Sequence, residues 1–369
     1  VNNFSKKDVE YMRSALALAR RGLGRVWPNP SVGCLIVKNG IVLARARTAD
    51  TGRPHAEYRA IAQAGENCTG ADMYVTLEPC ANHGKTPPCC ELIASSGISR
   101  VVVACTDPDQ RTNGSGIEQM QLSGLDVVKD VCPDTARSVN AGYFLSRMEG
   151  RPMFTLKTAS TIDAKIATEN GESKWITGDL SRRRVHMERD SHDAILTGID
   201  TVIADDPELT SRLAGVHHRS VRIVLDSHLR LPLQSCILKS SQEVPTWIFT
   251  TVPENDKRFR SLLNLPVEIF SVRQDKYGHC DLYEVAMILG RRGLTRVLVE
   301  AGGRLAAAFL RQRLCDRLLW FRSQGIIGME GISAIGPLKT EKLSDIIRGR
   351  RTEIISCGED CLEIYEFSS

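Results

Sequence analysis

Aromatic side chains are scarce in this sequence, at 5% of 369 residues. Neither charge sign dominates, since 48 basic side chains face 44 acidic ones for a net charge of +4. A groove that neutralises and stacks a nucleic-acid strand needs both cations and rings, so a nucleic-acid partner is not expected. No run approaches the ~18 apolar residues that cross a bilayer. Val1-Asn2-Asn3-Phe4-Ser5 also lacks the apolar centre of a secretion signal. A membrane partner is therefore not expected, and a cytoplasmic location is. The twelve cysteines run from Cys34 to Cys361 without the close grouping of a disulfide-stapled module. Free thiols with a metal site among them fit better. What remains is an ordinary soluble composition, 42% hydrophobic and 25% charged, on a chain long enough for two domains.

Local signals place the elements. Ser5-Lys6-Lys7-Asp8 has the form of a capping box, with Phe4 and Val9 as a hydrophobic staple. A helix with Val9, Met12, Leu16 and Ala19 on one face should run to Arg21 and stop at Gly22. Val32 to Val37 and Ile41 to Ala46 read as a hairpin turning at Asn39-Gly40. Short helices are expected from His55 to Gly65, from Pro87-Pro88 to Gly97, and over Ile117 to Leu122, with strands at Met73–Leu77, Arg100–Ala104 and Val127-Val128. This order implies a three-layer α/β domain. The pattern breaks between Ser146 and Pro152, which sets the domains at 1–146 and 147–369. Beyond the break, strands are expected at Met153–Lys157, Ala194–Thr197, Val221–Leu225, Thr246–Thr250, Val267–Phe270, Arg296–Glu300 and Leu318–Phe321. Helices over Asp281–Arg291 and Arg304–Arg311 fall between them, and two terminal strands follow at Glu353–Ser356 and Leu362–Phe367. This is a second α/β domain with a sizeable sheet.

Three short pieces carry chemistry: Pro54-His55-Ala56-Glu57, Glu78-Pro79-Cys80 and Pro87-Pro88-Cys89-Cys90. A catalytic zinc needs three protein ligands and one position left for water, which one imidazole and two thiolates provide. Zinc makes water nucleophilic near neutral pH. A carboxylate two residues from the histidine, on the same helical turn but not a ligand, can carry the proton from that water to a leaving amine. The His-x-Glu, Pro-Cys, Cys order is the zinc-deaminase signature. His55 and Cys80 are thus candidate ligands and Glu57 the candidate catalytic acid/base, with Cys89 and Cys90 competing for the third ligand place. Helix starts beside the cysteines favour their thiolate form.

The segment Glu78-Pro79-Cys80-Ala81-Asn82-His83-Gly84-Lys85-Thr86-Pro87-Pro88-Cys89 resembles the riboflavin-pathway pyrimidine deaminases. So do Pro28-Asn29-Pro30-Ser31-Val32-Gly33-Cys34 and Asp107-Pro108. The resemblance puts the third ligand directly after the prolines, at Cys89, and makes the insert between the cysteines part of the substrate pocket. It matches Asn29 to a residue that contacts the base and Lys85 to a basic residue near the ribose phosphate. Both suit their chemistry, because an amide reads donor and acceptor edges while a cation holds a phosphate. Thr48 stands where that family commonly has a histidine.

The resemblance continues through Lys157-Thr158-Ala159-Ser160-Thr161-Ile162-Asp163, Gly171-Glu172-Ser173-Lys174-Trp175-Ile176-Thr177, Thr201–Arg212, Asp226-Ser227 and Val299-Glu300-Ala301-Gly302-Gly303. Together these look like the reductase half of the bifunctional riboflavin biosynthesis deaminase/reductases, similar in fold to dihydrofolate reductase. Gly302-Gly303 would open a helix at a strand end, where backbone N–H groups can approach a phosphate. The resemblance implies that Ser173, Arg189, Leu209, Arg212 and Glu300 line the substrate site, with Arg189 and Arg212 suited to clamping a phosphate. It further implies that Ala159, Trp175, Thr201, Asp205, Ser227, Gly302 and Gly303 contact NADPH. Ala164 replaces the usual glycine after Asp163, and Ser323 to Glu330 lacks the family's usual proline.

The expected fold class is α/β, with an N-terminal three-layer, cytidine-deaminase-like domain followed by a dihydrofolate-reductase-like α/β domain. The expected function is bifunctional. Zinc-dependent hydrolytic deamination of 2,5-diamino-6-ribosylamino-4(3H)-pyrimidinone 5′-phosphate is followed by NADPH-dependent reduction of the ribosyl side chain to ribityl. One Zn2+ and NADPH are the cofactors, and a small-molecule pyrimidine ribotide is the partner. The resemblance favours a homo-oligomer, dimer or tetramer. Two other readings compete: a nucleic-acid base deaminase, and an active deaminase with a non-catalytic ligand-binding C-terminal domain.

Overall fold

Ser5 starts the first helix of the computed structural model, which describes residues 4–83, 87–215 and 219–367. Its hydroxyl accepts the Asp8 N–H, and the Asp8 carboxylate accepts the Ser5 N–H at 2.7 Å. Two donors that a helix start leaves orphaned are thereby satisfied, and α1 runs over Lys6–Arg20. Strands β1 (Gly33–Lys38) and β2 (Ile41–Arg47) form the hairpin, with Asn39 and Gly40 at φ 52° and 79°. These are the left-handed values that a two-residue turn requires. β3 (Asp72–Val75) pairs antiparallel with β1, and β4 (Arg100–Val103) and β5 (Asp126–Val128) continue in parallel. The sheet order is β2-β1-β3-β4-β5.

Between these strands run α2 (Ala56–Ala64), α3 (Cys89–Ser95) and α4 (Ser115–Leu122), which pack one on the next. After β5 come α5 (Pro133–Val139), which packs on α1, and α6 (Ala141–Met148). β1 is buried from Gly33 to Val37, as a strand covered on both faces must be. Gly33 admits α1: a Cβ there would lie 1.9 Å from the Ala15 carbonyl oxygen.

The contacts divide the chain into units of Val1–Gly150 and Arg151–Ser369. The second unit contains β6 (Met153–Ser160), β7 (Lys165–Ala167), β8 (Ala194–Gly198), β9 (Val221–Leu225), β10 (Thr246–Thr250), β11 (Glu268–Ser271), β12 (Arg296–Glu300), β13 (Arg317–Arg322), β14 (Ile332–Ser333), β15 (Arg350–Cys357) and β16 (Asp360–Glu366). Nine of them form a sheet in the order β11-β10-β9-β8-β12-β6-β13-β16-β15, and β7 and β14 pair separately. From β11 to β13 every neighbour is parallel, and β16 and β15 add an antiparallel edge. β9, β10 and β12 are buried at every position, as parallel strands under helices require. The helices are α7 (Asp179–Asp190), α8 (Ile199–Asp205), α9 (Cys236–Lys239), α10 (Lys257–Leu262), α11 (Leu282–Arg291) and α12 (Gly303–Arg311). Parallel pairing brings the carboxyl ends of β6, β8, β9 and β12 to one edge, where open α/β sheets bind their ligands.

The two departures noted in this half have structural counterparts. Ala164 sits at φ 60°, the left-handed region that favours glycine. The segment without its proline is held instead by Asp163, whose carboxylate accepts from Ile327 and Gly328 at 3.3 and 2.8 Å. All twelve cysteines are unpaired. Among the described residues no helix is long and apolar enough to cross a membrane.

Candidate active sites

His55 ends the extended stretch before α2, Cys80 follows β3, and Cys89 is the first residue of α3. The fold brings one donor atom of each to within 4.8 Å of the others. His55 Nδ1 lies 3.3 Å from Cys89 Sγ and 3.7 Å from Cys80 Sγ. A tetrahedral ion with about 2.0 Å bonds to nitrogen and 2.3 Å bonds to sulfur spaces its donors by about 3.5–3.8 Å, so the trio fits zinc. Cys90 does not join it, because its thiol donates to Gln119 Oε1 at 3.0 Å. The Cys89 thiol and the Cys89 N–H both hydrogen-bond to Cys80 and lower its thiol below the ordinary value against the cost of its burial, which makes it the readier thiolate of the two.

Glu57 is the second residue of α2 and only 3% exposed. Burial raises its carboxyl above the ordinary value, an effect that the neighbouring His55 opposes. Its Oε2 has no protein partner although it is buried. A buried acceptor in that state is costly unless something else occupies the site. A water at the metal would meet it.

Asn29 donates from Nδ2 to the Gly52 carbonyl at 3.1 Å, in the loop that leads to His55. Thr48, in place of the family's histidine, is buried and serves the backbone: its hydroxyl accepts from Val32 N (2.9 Å) and donates to Pro30 O (3.1 Å). Lys85 lies outside the described residues.

In the second unit, Glu300 closes β12 and is paired by register with Lys157 on β6. Arg189, on the last turn of α7, donates to both Glu300 oxygens, at 2.6 and 3.0 Å, and Lys157 Nζ lies 3.2 Å from Oε2. Burial alone would raise the Glu300 carboxyl, but the two cations outweigh it and hold the group well below the usual range. Arg189 also donates to Thr210 O at 2.9 Å, so three of its five donors are engaged within the protein. Leu209, buried at φ 50°, turns this loop, and Arg212 beyond it leaves its side chain exposed. Ser173 and Trp175 precede α7, where Arg182 stacks 4.4 Å over the exposed indole.

The residues matched to NADPH sit around the carboxyl edge of the sheet. Ala159 is on β6, Thr201 and Asp205 are on α8, Ser227 follows β9, and Gly302 and Gly303 start α12. Ser227 Oγ accepts from Cys280 N at 3.0 Å. A Cβ on Gly302 would meet nothing within 4 Å, which leaves the helix start open to a phosphate, whereas one on Gly303 would lie 2.4 Å from Ser333 O. An open, glycine-capped helix start beside parallel strand ends suits the pyrophosphate of a nicotinamide cofactor.

Two functional candidates escaped the sequence reading. Lys157 could have been noticed as the lone cation in the strand MFTLKTAS. Glu78, two residues before the candidate ligand Cys80, carries a set of hydrogen bonds whose partners lie far along the chain.

Known proteins resemble this chain in sequence and fold. Residues 152–362 match the family model described as the RibD C-terminal domain, and residues 5–105 match the cytidine and deoxycytidylate deaminase zinc-binding region. The chain is 38% identical to the riboflavin biosynthesis protein RibD of Aquifex aeolicus (strain VF5), over 97% of this chain and 98% of that one. Among solved structures it resembles Acinetobacter baumannii RibD, with a TM-score of 0.87 and 33% identity over 99% of both chains. It also resembles a diaminohydroxyphosphoribosylaminopyrimidine deaminase/5-amino-6-(5-phosphoribosylamino)uracil reductase from Thermotoga maritima, with a TM-score of 0.85 and 32% identity over 98% of this chain and 99% of that one.

Proposed function

The chain belongs to the RibD family of riboflavin biosynthesis proteins, and from that membership we propose which of its residues perform two successive reactions on one pyrimidine ribotide. It is a bifunctional enzyme, a zinc-dependent deaminase joined to an NADPH-dependent reductase. The first unit hydrolyses the amino group of 2,5-diamino-6-ribosylamino-4(3H)-pyrimidinone 5′-phosphate, and the second reduces the ribosyl side chain of the product to ribityl. The two activities named for the Thermotoga maritima relative support this pair.

The observation that carries the first reaction is the trio His55, Cys80 and Cys89 with the unpartnered Glu57 oxygen on the same helix start. A zinc held by His55, Cys80 and Cys89 would supply a water that is nucleophilic near neutral pH. Glu57 takes a proton from that water and delivers it to the departing amine, so that water enters and ammonia leaves. A buried carboxyl with a raised affinity for protons suits both halves of the shuttle. Asn29 orients the base, and Lys85 holds the phosphate.

In the second unit NADPH supplies a hydride to the sugar carbon. Glu300, held ionised by Arg189 and Lys157, offers acceptors to the sugar hydroxyls. As the reduced carbon gains its hydrogen, its bond to the ring oxygen breaks. Lys157 would stabilise that oxygen until a solvent proton completes the hydroxyl, and the exposed Arg212 takes the phosphate. Ser173 and Leu209 line the site. Ala159, Trp175, Thr201, Asp205, Ser227 and the Gly302-Gly303 turn hold the cofactor.

The enzyme works on this small molecule and not on nucleic acid, in the cytoplasm, as a homodimer or tetramer. Exposed apolar side chains at Ile326, Met329, Ile332 and Leu343 support self-association, and sedimentation of the purified chain tests it. Metal analysis with turnover tests the site. Cys80→Ser loses zinc and deamination, while Glu57→Gln keeps zinc and loses deamination. A Glu57→Gln enzyme that still deaminates refutes the shuttle. NADPH oxidation on the deaminated substrate tests the second unit in the same preparations.

A further inference from the structure

Glu78 leaves β3 two residues before Cys80 and is 3% exposed. Its carboxylate accepts four backbone N–H groups. Oε2 takes those of Asp107 (3.1 Å) and Gly114 (2.9 Å), and Oε1 takes those of Gly116 (3.0 Å) and Ile117 (3.2 Å). Gly116 and Ile117 lie in the first turn of α4, whose own N-cap, Gly114, has no side chain with which to cap it. A helix start presents orphaned donors and partial positive charge. Here a carboxylate from a distant part of the chain answers both.

The approach is close. A Cβ on Gly116 would lie 2.1 Å from the Pro79 carbonyl oxygen, so α4 rests directly on the peptide that precedes Cys80. Two more bonds tie the same region to the cysteine segments. Asn82 Nδ2 donates to Arg111 O at 2.6 Å, and Cys90 Sγ donates to Gln119 Oε1 on α4 at 3.0 Å. The loop 107–114 and α4 therefore grip the chain on both sides of Cys80 and immediately after Cys89. Before an ion binds, only weak sulfur hydrogen bonds such as that from Cys89 N to Cys80 Sγ (3.4 Å) link the two cysteines directly, so the surrounding backbone must fix most of their spacing.

Building on the assignment of His55, Cys80 and Cys89 as ligands, we propose that Glu78 is a positioning residue for the zinc centre, holding Cys80 and Cys89 at metal-binding separation through α4. Glutamine has the same shape but turns an NH2 group towards two of the four N–H donors and removes the charge. Loss of a group that orients metal ligands typically weakens metal binding about 10- to 100-fold.

The test is chelator competition for zinc on the full-length chain, together with the visible spectrum after cobalt(II) substitution. Cys80→Ser removes tight binding, and if it does not, the ligand assignment itself has failed. With Cys80→Ser behaving so, Glu78→Gln is expected to bind zinc about 10- to 100-fold more weakly and to shift the cobalt bands, because the angle between the thiolates changes. A purely structural role would lower the unfolding midpoint and leave affinity and spectrum alone, and that result overturns the proposal. Should Glu78→Gln not fold, Gln119→Leu frees Cys90 from α4 at an exposed position. Weakened zinc binding in that variant supports the proposal, and unchanged binding overturns it.

Discussion

Replacing Glu300 with glutamine keeps the shape of the side chain and removes the one anion between two half-buried cations. In the folded protein Arg189 reaches Glu300 at 2.6 Å and Lys157 at 3.2 Å, with the three side chains 13%, 10% and 18% exposed in the order Arg189, Glu300, Lys157. Breaking a buried pair by removing one partner costs about 3–5 kcal/mol, because the surviving charge stays desolvated. Here two survive, and the cost should lie at the upper end of that range. With a urea m-value of about 1–3 kcal/mol per molar, the unfolding midpoint of the second unit should fall by roughly 2–5 M. Trp175, Trp247 and Trp320 report on that unit by fluorescence, whereas Trp27 lies in the other. The loss should shrink at low pH. Glu300 binds its proton less readily folded than unfolded, so its contribution is present above the unfolded carboxyl value and fades as pH falls below about 4. NADPH oxidation should disappear while deamination persists. A midpoint unchanged at neutral pH would refute the reasoning, since it would mean that the cations are solvated well enough to need no counter-charge.

Two further outcomes are expected. Ala164→Gly relieves a left-handed alanine worth about 1–2 kcal/mol, offset by the greater freedom of glycine in the unfolded chain. The second unit should gain about 0.5–1 kcal/mol, or roughly 1–4 °C in Tm by calorimetry, and a loss of stability would show that the methyl packs productively. Asp107 is pushed up to about 6, chiefly by burial, against the opposing bonds from Asp109 N and Tyr143 OH. The folded state therefore keeps this proton to higher pH than the unfolded chain, and its contribution to stability declines as pH rises from about 4 to about 6. Urea unfolding across that interval should show a slope of up to about 3 kcal/mol that Asp107→Asn removes. Equal slopes in the two proteins would refute it.

The contrast between α1 and α7 shows what was legible in advance. α1 is announced by adjacent residues, a capping box at Ser5 and Asp8 and an apolar stripe through Met12 and Leu16. α7 reads DLSRRRVHMERD, and of its residues only Ser181 is buried. Its start is capped from far away, by Asp360, which accepts from Gly178 N at 2.7 Å and Ser181 Oγ at 2.6 Å. No local window contains that signal. The candidate sites divide in the same way. His55 and Cys80 stood out because the signature is written along the chain, whereas the residues alone left Cys89 and Cys90 in competition and only the resemblance chose Cys89. The Lys157–Glu300 pairing depends on which strands become neighbours, and the bonds of Glu78 depend on where α4 docks. Thr48 and Ala164 were visible as departures, but only φ and hydrogen bonds explain them, one as a backbone tie and the other as a strained turn.

The place of β6 has a consequence for synthesis. It is the first strand of its unit to leave the ribosome, yet its sheet partners are β12 and β13, more than a hundred residues later. In the first unit β1 finds β2 across a two-residue turn and β3 soon after. Long-range parallel pairing is slow to nucleate, and domains made first generally fold first. The deaminase half can thus be complete on a nascent chain while β6 still waits with both hydrogen-bonding edges open. During that interval an unpaired strand edge is open to pairing with another chain.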